Sequence, residues 1–148
     1  MSNNPVPILL VEDNEDHAEI TIFTLEENSV ENRIIWVDDG AKAIDCLFHQ
    51  GDYSDAEEYP TPGLILLDLK LPKFDGLEVL ERIKADPDLR RIPVVMLTTS
   101  NREEEILRSY DLGVNSYVTK PVQFEELTEK LTHIVDFWMS TNTPPPRR

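Results

Sequence analysis

The stretch GLILLDLKLPKFDG, residues 63–76, decides the fold. Gly63 to Leu67 carry no charge and run straight into Asp68. Such a run reads as a strand buried on both faces, the pattern of a parallel sheet. Pro72 and the Asp75-Gly76 pair close a turn behind it. A carboxylate at the end of a buried strand is either tied off by a partner or held ready for chemistry.

Outward from this stretch, apolar runs at 6–11, 33–37, 92–98 and 116–119 read as four more strands. Between them lie helical periods. Residues 14–28 place Ala18, Ile22 and Leu25 on one face, and 40–51 place Ala43, Ile44, Leu47 and Phe48 together with Gly51 as a stop. Residues 77–86 carry Leu77, Leu80 and Ile83 inward and stop at Pro87. Residues 100–113 open with a capping box, Ser100 and Glu103, and end on Gly113. The last helix spans 123–139, with Phe124, Leu127, Leu131, Ile134 and Trp138 as its core stripe and Val135, Phe137 and Met139 outside it. Residues 52–62 form an acidic loop with two prolines, and the Pro-rich tail 140–148 reads as mobile. Strand and helix alternate five times, which predicts an α/β doubly wound (βα)5 sandwich on a parallel sheet. In such sheets the site lies beyond the carboxyl ends of the strands.

The totals narrow the function. A chain of 148 residues is one domain, able to bury about 68–70% of its unfolded surface. A net charge of −15, from 14 basic and 29 acidic residues, strongly disfavours binding nucleic acid through its phosphates. No apolar run is long enough to span a membrane, and the start MSNNPVPILLV has no basic region and does not read as a signal peptide. Cys46 is the single cysteine, which fits a reducing cytoplasm. His17, His49 and His133 are scattered singly and read as solvated or packed side chains. After the last helix, about a dozen residues are too few for a further folded unit.

The strand ends carry the chemistry. Glu12 and Asp13 follow the first strand, Asp68 the third, Thr98 ends the fourth, and Lys120 follows the fifth. Taken singly, each has a plain reading: Glu12 and Asp13 open the next helix, Thr98 is a strand residue, Lys120 a surface lysine. Together they put three acids, a hydroxyl and an ammonium on one rim. Clustered carboxylates raise one another's pKa or recruit a cation, and Mg²⁺ suits such an oxygen site while meeting phosphate oxygens. Asp68 is then placed to attack a phosphoryl group, with Thr98 and Lys120 on its oxygens.

LLVEDN (9–14), LILLDLKLPKFDG (64–76), VVMLTTS (94–100) and SYVTKPV (116–122) stand in the order and spacing of a known family. Across about 6–136 the chain resembles the CheY-like receiver domain of two-component response regulators. The resemblance implies a flavodoxin-like sheet in the order 2-1-3-4-5. It also implies Asp68 as phospho-acceptor for a sensor histidine kinase. Asp13 becomes a direct Mg²⁺ ligand, Glu12 acts through water, and the backbone carbonyl of Lys70 completes the protein ligands beside Asp68. Thr98 and Lys120 hold the phosphoryl oxygens, Tyr117 is the switch that turns inward when Thr98 moves, and the Lys120–Pro121 bond is cis. Such a protein is no conventional enzyme, although it promotes its own phosphorylation and dephosphorylation. Two departures stand out: Glu12 replaces the commoner aspartate, and loop 52–62 is long. With the aromatic-tipped last helix, that loop resembles the small Rcp-type regulators paired with cyanobacterial phytochromes. The apolar residues outside the last helix's stripe imply a homodimer face. Two rivals remain. One is an aspartyl-phosphate phosphohydrolase, which needs an acid where Lys70 stands. The other is a dimerising scaffold that takes no phosphate.

Overall fold

The structure, a computed structural model, describes residues 6–28 and 31–146. The buried runs form five strands: β1 (Ile8–Val11), β2 (Ile34–Val37), β3 (Leu64–Leu67), β4 (Val94–Thr98) and β5 (Ser116–Thr119). All pair in parallel, in the order β2-β1-β3-β4-β5. β1, β3 and β4 are buried throughout, as central strands covered on both faces must be. Edge strand β5 is only half-buried.

Alternation along the strands splits the core in two. Leu9, Val11, Ile65, Leu67 and Met96 pack on α2 (Gly40–Leu47) and α3 (Gly76–Ala85). Ile8, Leu10, Leu64, Leu66, Val95 and Leu97 pack on α1 (Glu15–Glu27) and α5 (Phe124–Val135). α4 (Glu103–Asp111) buries only Ser109, so little apolar burial anchors it. α1 buries Ala18 and Leu25 as expected, but Ile22 is half-buried, and Thr21 and Thr24 lie inside. Their hydroxyls are satisfied by the carbonyls of His17 and Ile20, each at 2.8 Å.

Two helix ends differ from the sequence reading. Ser100 is not the N-cap: α4 begins at Glu103 behind Arg102, without a side-chain cap, and Ser100 Oγ donates to Glu105 while accepting from Arg102 N–H at 3.4 Å. The last helix stops being α-helical at Val135 and continues as a π-helical turn, Asp136–Thr141. The wider turn shifts the phase of the side chains. Upstream of that turn, Val135 is buried on the regular i+4 stripe of Leu127 and Leu131 rather than outside it, and Phe124, placed inside the stripe, is exposed in the first turn of the helix. Loop 52–62 is not free. Arg33 stacks on Tyr59 and donates to the Glu58 carbonyl, Tyr53 meets Tyr59 edge-on, and His49 bonds the Tyr59 carbonyl at 2.8 Å. In the tail, Ser140 and Thr141 belong to the π turn, and Arg147 and Arg148 lie outside the described residues. Among the described residues no helix is long and apolar enough to cross a membrane.

Candidate functional site

The sheet ladder runs one residue past the strands and fixes the site. Glu12 N–H donates to the Val37 carbonyl at 3.0 Å, Asp68 N–H to Val11 at 3.0 Å, and Lys120 N–H to Thr98 at 2.6 Å. Behind Asp68 the chain turns through Lys73, which holds φ +72°. Asp75 then caps α3 by accepting from Glu78 N–H at 3.0 Å. Gly76 follows because a Cβ there would collide with the Asp68 carbonyl oxygen. Its N–H donates to Leu69 at 2.8 Å, holding the head of α3 against the Asp68 turn.

The Lys120 ammonium is buried at the centre, with 2% of its side chain exposed. An ammonium has three N–H bonds to place. One goes to Glu12 Oε1, one to Asp68 Oδ2 at 3.0 Å, and the third to His17 Nδ1 at 3.1 Å. The other carboxylate oxygens accept backbone N–H groups, Glu12 Oε2 from Asn14 at 3.1 Å and Asp68 Oδ1 from Lys70 at 3.3 Å. Asp13 stands exposed at the rim. Glu12, Asp13 and Asp68 each offer an oxygen within 4.8 Å of the others.

Three carboxylates against one ammonium leave the cluster short of positive charge. Burial, reinforced by the charge of Asp68 and opposed by Lys120, pushes the Glu12 carboxyl up to about 7. That upward shift marks a place where a cation is welcome, and an all-oxygen donor set fits a hard divalent ion. Burial and the Lys120 charge push His17 down, so it stands neutral beside the ammonium.

Thr98 is fully buried at the neighbouring strand end, where its Oγ1 accepts from Ser100 N–H at 3.4 Å. Tyr117 is half-buried, and its hydroxyl donates to the Ser100 carbonyl at 2.9 Å. Glu105 joins the two loops: it accepts from Ser100 Oγ, and from Lys70 Nζ at 2.8 Å. These contacts hold its carboxyl below the usual range, Lys70 contributing most.

The strand-end residues named from the sequence thus meet on one rim, with Glu12, Asp68 and Lys120 in direct contact and Thr98 and Tyr117 beside them. Asn14, rather than Glu12 or Asp13, caps α1, accepting from His17 N–H at 3.0 Å. One correction follows. No peptide bond among the described residues is cis, so Lys120–Pro121 is trans, the isomer X-Pro bonds favour by about 0.5–1 kcal/mol. His17, read only as a solvated or packed side chain, is packed against the site as a direct partner of Lys120. Trp36, which no motif singled out, donates Nε1–H to the Glu12 carbonyl at 2.8 Å from the sheet edge.

Comparison with known proteins places this rim in context. Residues 8–132 match the response regulator receiver domain. The chain is 45% identical to the response regulator Rcp1 of Synechocystis over 97% of its own length and 96% of that protein. Its structure is similar to that of the phosphorylated cyanobacterial phytochrome response regulator RcpA, with TM-score 0.90 and 44% identity, covering 96% of this chain and 99% of that one. It is equally similar to the Mn²⁺-bound form of Rcp1, with TM-score 0.89 and 44% identity over 96% and 100% of the two chains. With the strand order, the rim and the family match in agreement, the chain belongs to the response regulator receiver domains.

Proposed function

We propose that this chain is a receiver that takes a phosphoryl group from a sensor histidine kinase onto Asp68 and signals by changed protein contacts. Receiver domains are signalling proteins rather than conventional enzymes. The observation that carries the reading is the buried Asp68 carboxylate, held between the Lys120 ammonium and two further acids at the end of a parallel strand. Asp68 attacks the phosphorus of a phosphohistidine, the P–N bond breaks, and the imidazole leaves with the electron pair and takes up a proton. Lys120 and Thr98 meet the charge on the transferred oxygens. Asp13, Asp68 and the Lys70 carbonyl would hold Mg²⁺, with Glu12 acting through water. When bound, the ion neutralises charge on the phosphoryl oxygens.

The 44% identity to a phytochrome regulator supports a phytochrome as the kinase. Spanning 96% of Rcp1 supports reading residues 1–148 as one receiver. The lone Cys46 and the acidic charge support a cytoplasmic protein that does not bind nucleic acid. A homodimer through the last helix is part of the proposal. Asp68→Asn keeps the shape and removes the nucleophile, so labelling from a phosphohistidine donor should vanish. Undiminished labelling of that variant overturns the assignment.

A further inference from the structure

His17 is a site residue that no motif announces. Its contact with Lys120 is made across 103 positions of sequence. An ammonium only donates, so Nδ1 must present its lone pair, which puts the imidazole proton on Nε2. His17 is set apart from the other two acceptors of Lys120. Glu12 and Asp68 are carboxyl groups almost wholly buried around the ammonium, whereas the His17 acceptor is an uncharged ring nitrogen on a side chain 32% exposed. Neutral acceptors hold an ammonium less firmly than carboxylates do. The third N–H is thus the one released at least cost when a new anion arrives. A phosphoryl group on Asp68 is such an anion, and one N–H of Lys120 must turn toward it.

We propose that His17 is a positioning residue of the receiver site, accepting the third N–H of Lys120 at rest and yielding it to the phosphoryl oxygen. This rests on the reading of Asp68 as phospho-acceptor. Residue 17 then sets the balance between the two states. Its hydrogen bond stabilises only the resting one, and a ligand shifts an equilibrium by its differential interaction with the two states.

The test uses the full chain with Mg²⁺ and beryllofluoride, a stable analogue of the phosphoryl group. His17→Ala removes the acceptor, and His17→Asn restores an oxygen near the place of Nδ1. We expect His17→Ala to bind beryllofluoride about three- to ten-fold more tightly than wild type, the size of one hydrogen bond. His17→Asn should stay near wild type. Nitrogen-15 spectra of the wild type should show the Nε2–H tautomer at rest, with the Nδ1 resonance moving when beryllofluoride binds. Equal affinity for wild type and His17→Ala, or an Nδ1 resonance that does not move, overturns the role of His17 while Asp68 stands. If the wild type binds no beryllofluoride at all, the phospho-acceptor reading falls and this inference with it.

Discussion

At the scale of single residues the site turns on charge held out of water. Glu12 is almost fully buried and its carboxyl is raised from the ordinary 4.5 to about 7. Between those values the folded protein holds a proton on Glu12 that the unfolded chain has released. Stability from this group is therefore whole below about 4.5 and drains away as pH rises through about 7. The loss amounts to roughly 3 kcal/mol at most, from about 1.4 kcal/mol per pH unit. In chelator, the wild type should melt at a lower temperature at pH 8 than at pH 5. Glu12→Gln, which cannot ionise, should flatten that difference, and Mg²⁺ should narrow it in the wild type because a cation favours the ionised form. Identical pH dependence in wild type and variant would remove Glu12 as the cause. Sequence reading reached Glu12, Asp13, Asp68, Thr98 and Lys120 because each ends or follows a recognisable buried run. His17 and Trp36 escaped it. The first meets its partner far along the chain and the second reaches in from an edge strand, and neither contact leaves a local pattern.

At the scale of elements, strands were more legible than helix ends. Apolar runs that give way to polar residues fix where β1, β3 and β4 end, although β1 and β4 start two residues later than their runs, and the half-buried β5 begins and ends where the sequence places it. The capping pattern at Ser100 misled because the same residues serve another purpose. Ser100 Oγ and Lys70 Nζ both meet Glu105, tying the loop after β3 and the loop after β4 to the first turn of α4. With one buried residue, α4 depends on such polar ties more than on packing. Glu105→Gln weakens both, and exposed ion pairs are worth about 0.2–1 kcal/mol. Amide exchange over residues 99–105 should then rise roughly two- to five-fold in the unphosphorylated protein, where local opening sets the rate. Beryllofluoride with Mg²⁺ should alter exchange in the same segment of the wild type and onward through 136, since Thr98 and Lys120 lie where the new charge acts. Exchange that changes only beside Asp68 would sever α4 from the site.

At the scale of the whole molecule, strand and helix alternation gave the layers, while the order 2-1-3-4-5 came through family resemblance rather than from the run lengths. What alternation leaves open is assembly. The end of the last helix redraws the expected dimer face: Val135 is inside, on the α-helical stripe, while in the π turn Trp138 packs half-buried on the core and Phe137 stays 47% exposed with its ring 4.9 Å from Trp138. Half of Phe137 is roughly 100 Å², worth roughly 2–3 kcal/mol per protomer on burial. Association costs about 4–15 kcal/mol, so a pair of Phe137 rings reaches only the edge of that range. Leu107 and Tyr110 on α4, and Val122 and Phe124 at the head of α5, are exposed apolar residues available to add to it. A charge of −15 on each copy opposes the contact, and salt screens that repulsion. The balance favours a weak, reversible dimer that tightens as ionic strength rises. Sedimentation across protein concentration, at low and high salt, should show the wild type shifting from monomer to dimer and Phe137→Ala lagging behind it by several-fold in affinity. Trp138 is left in place because it also supports the core. If wild type and Phe137→Ala sediment alike at every concentration and salt, the last helix carries no dimer contact.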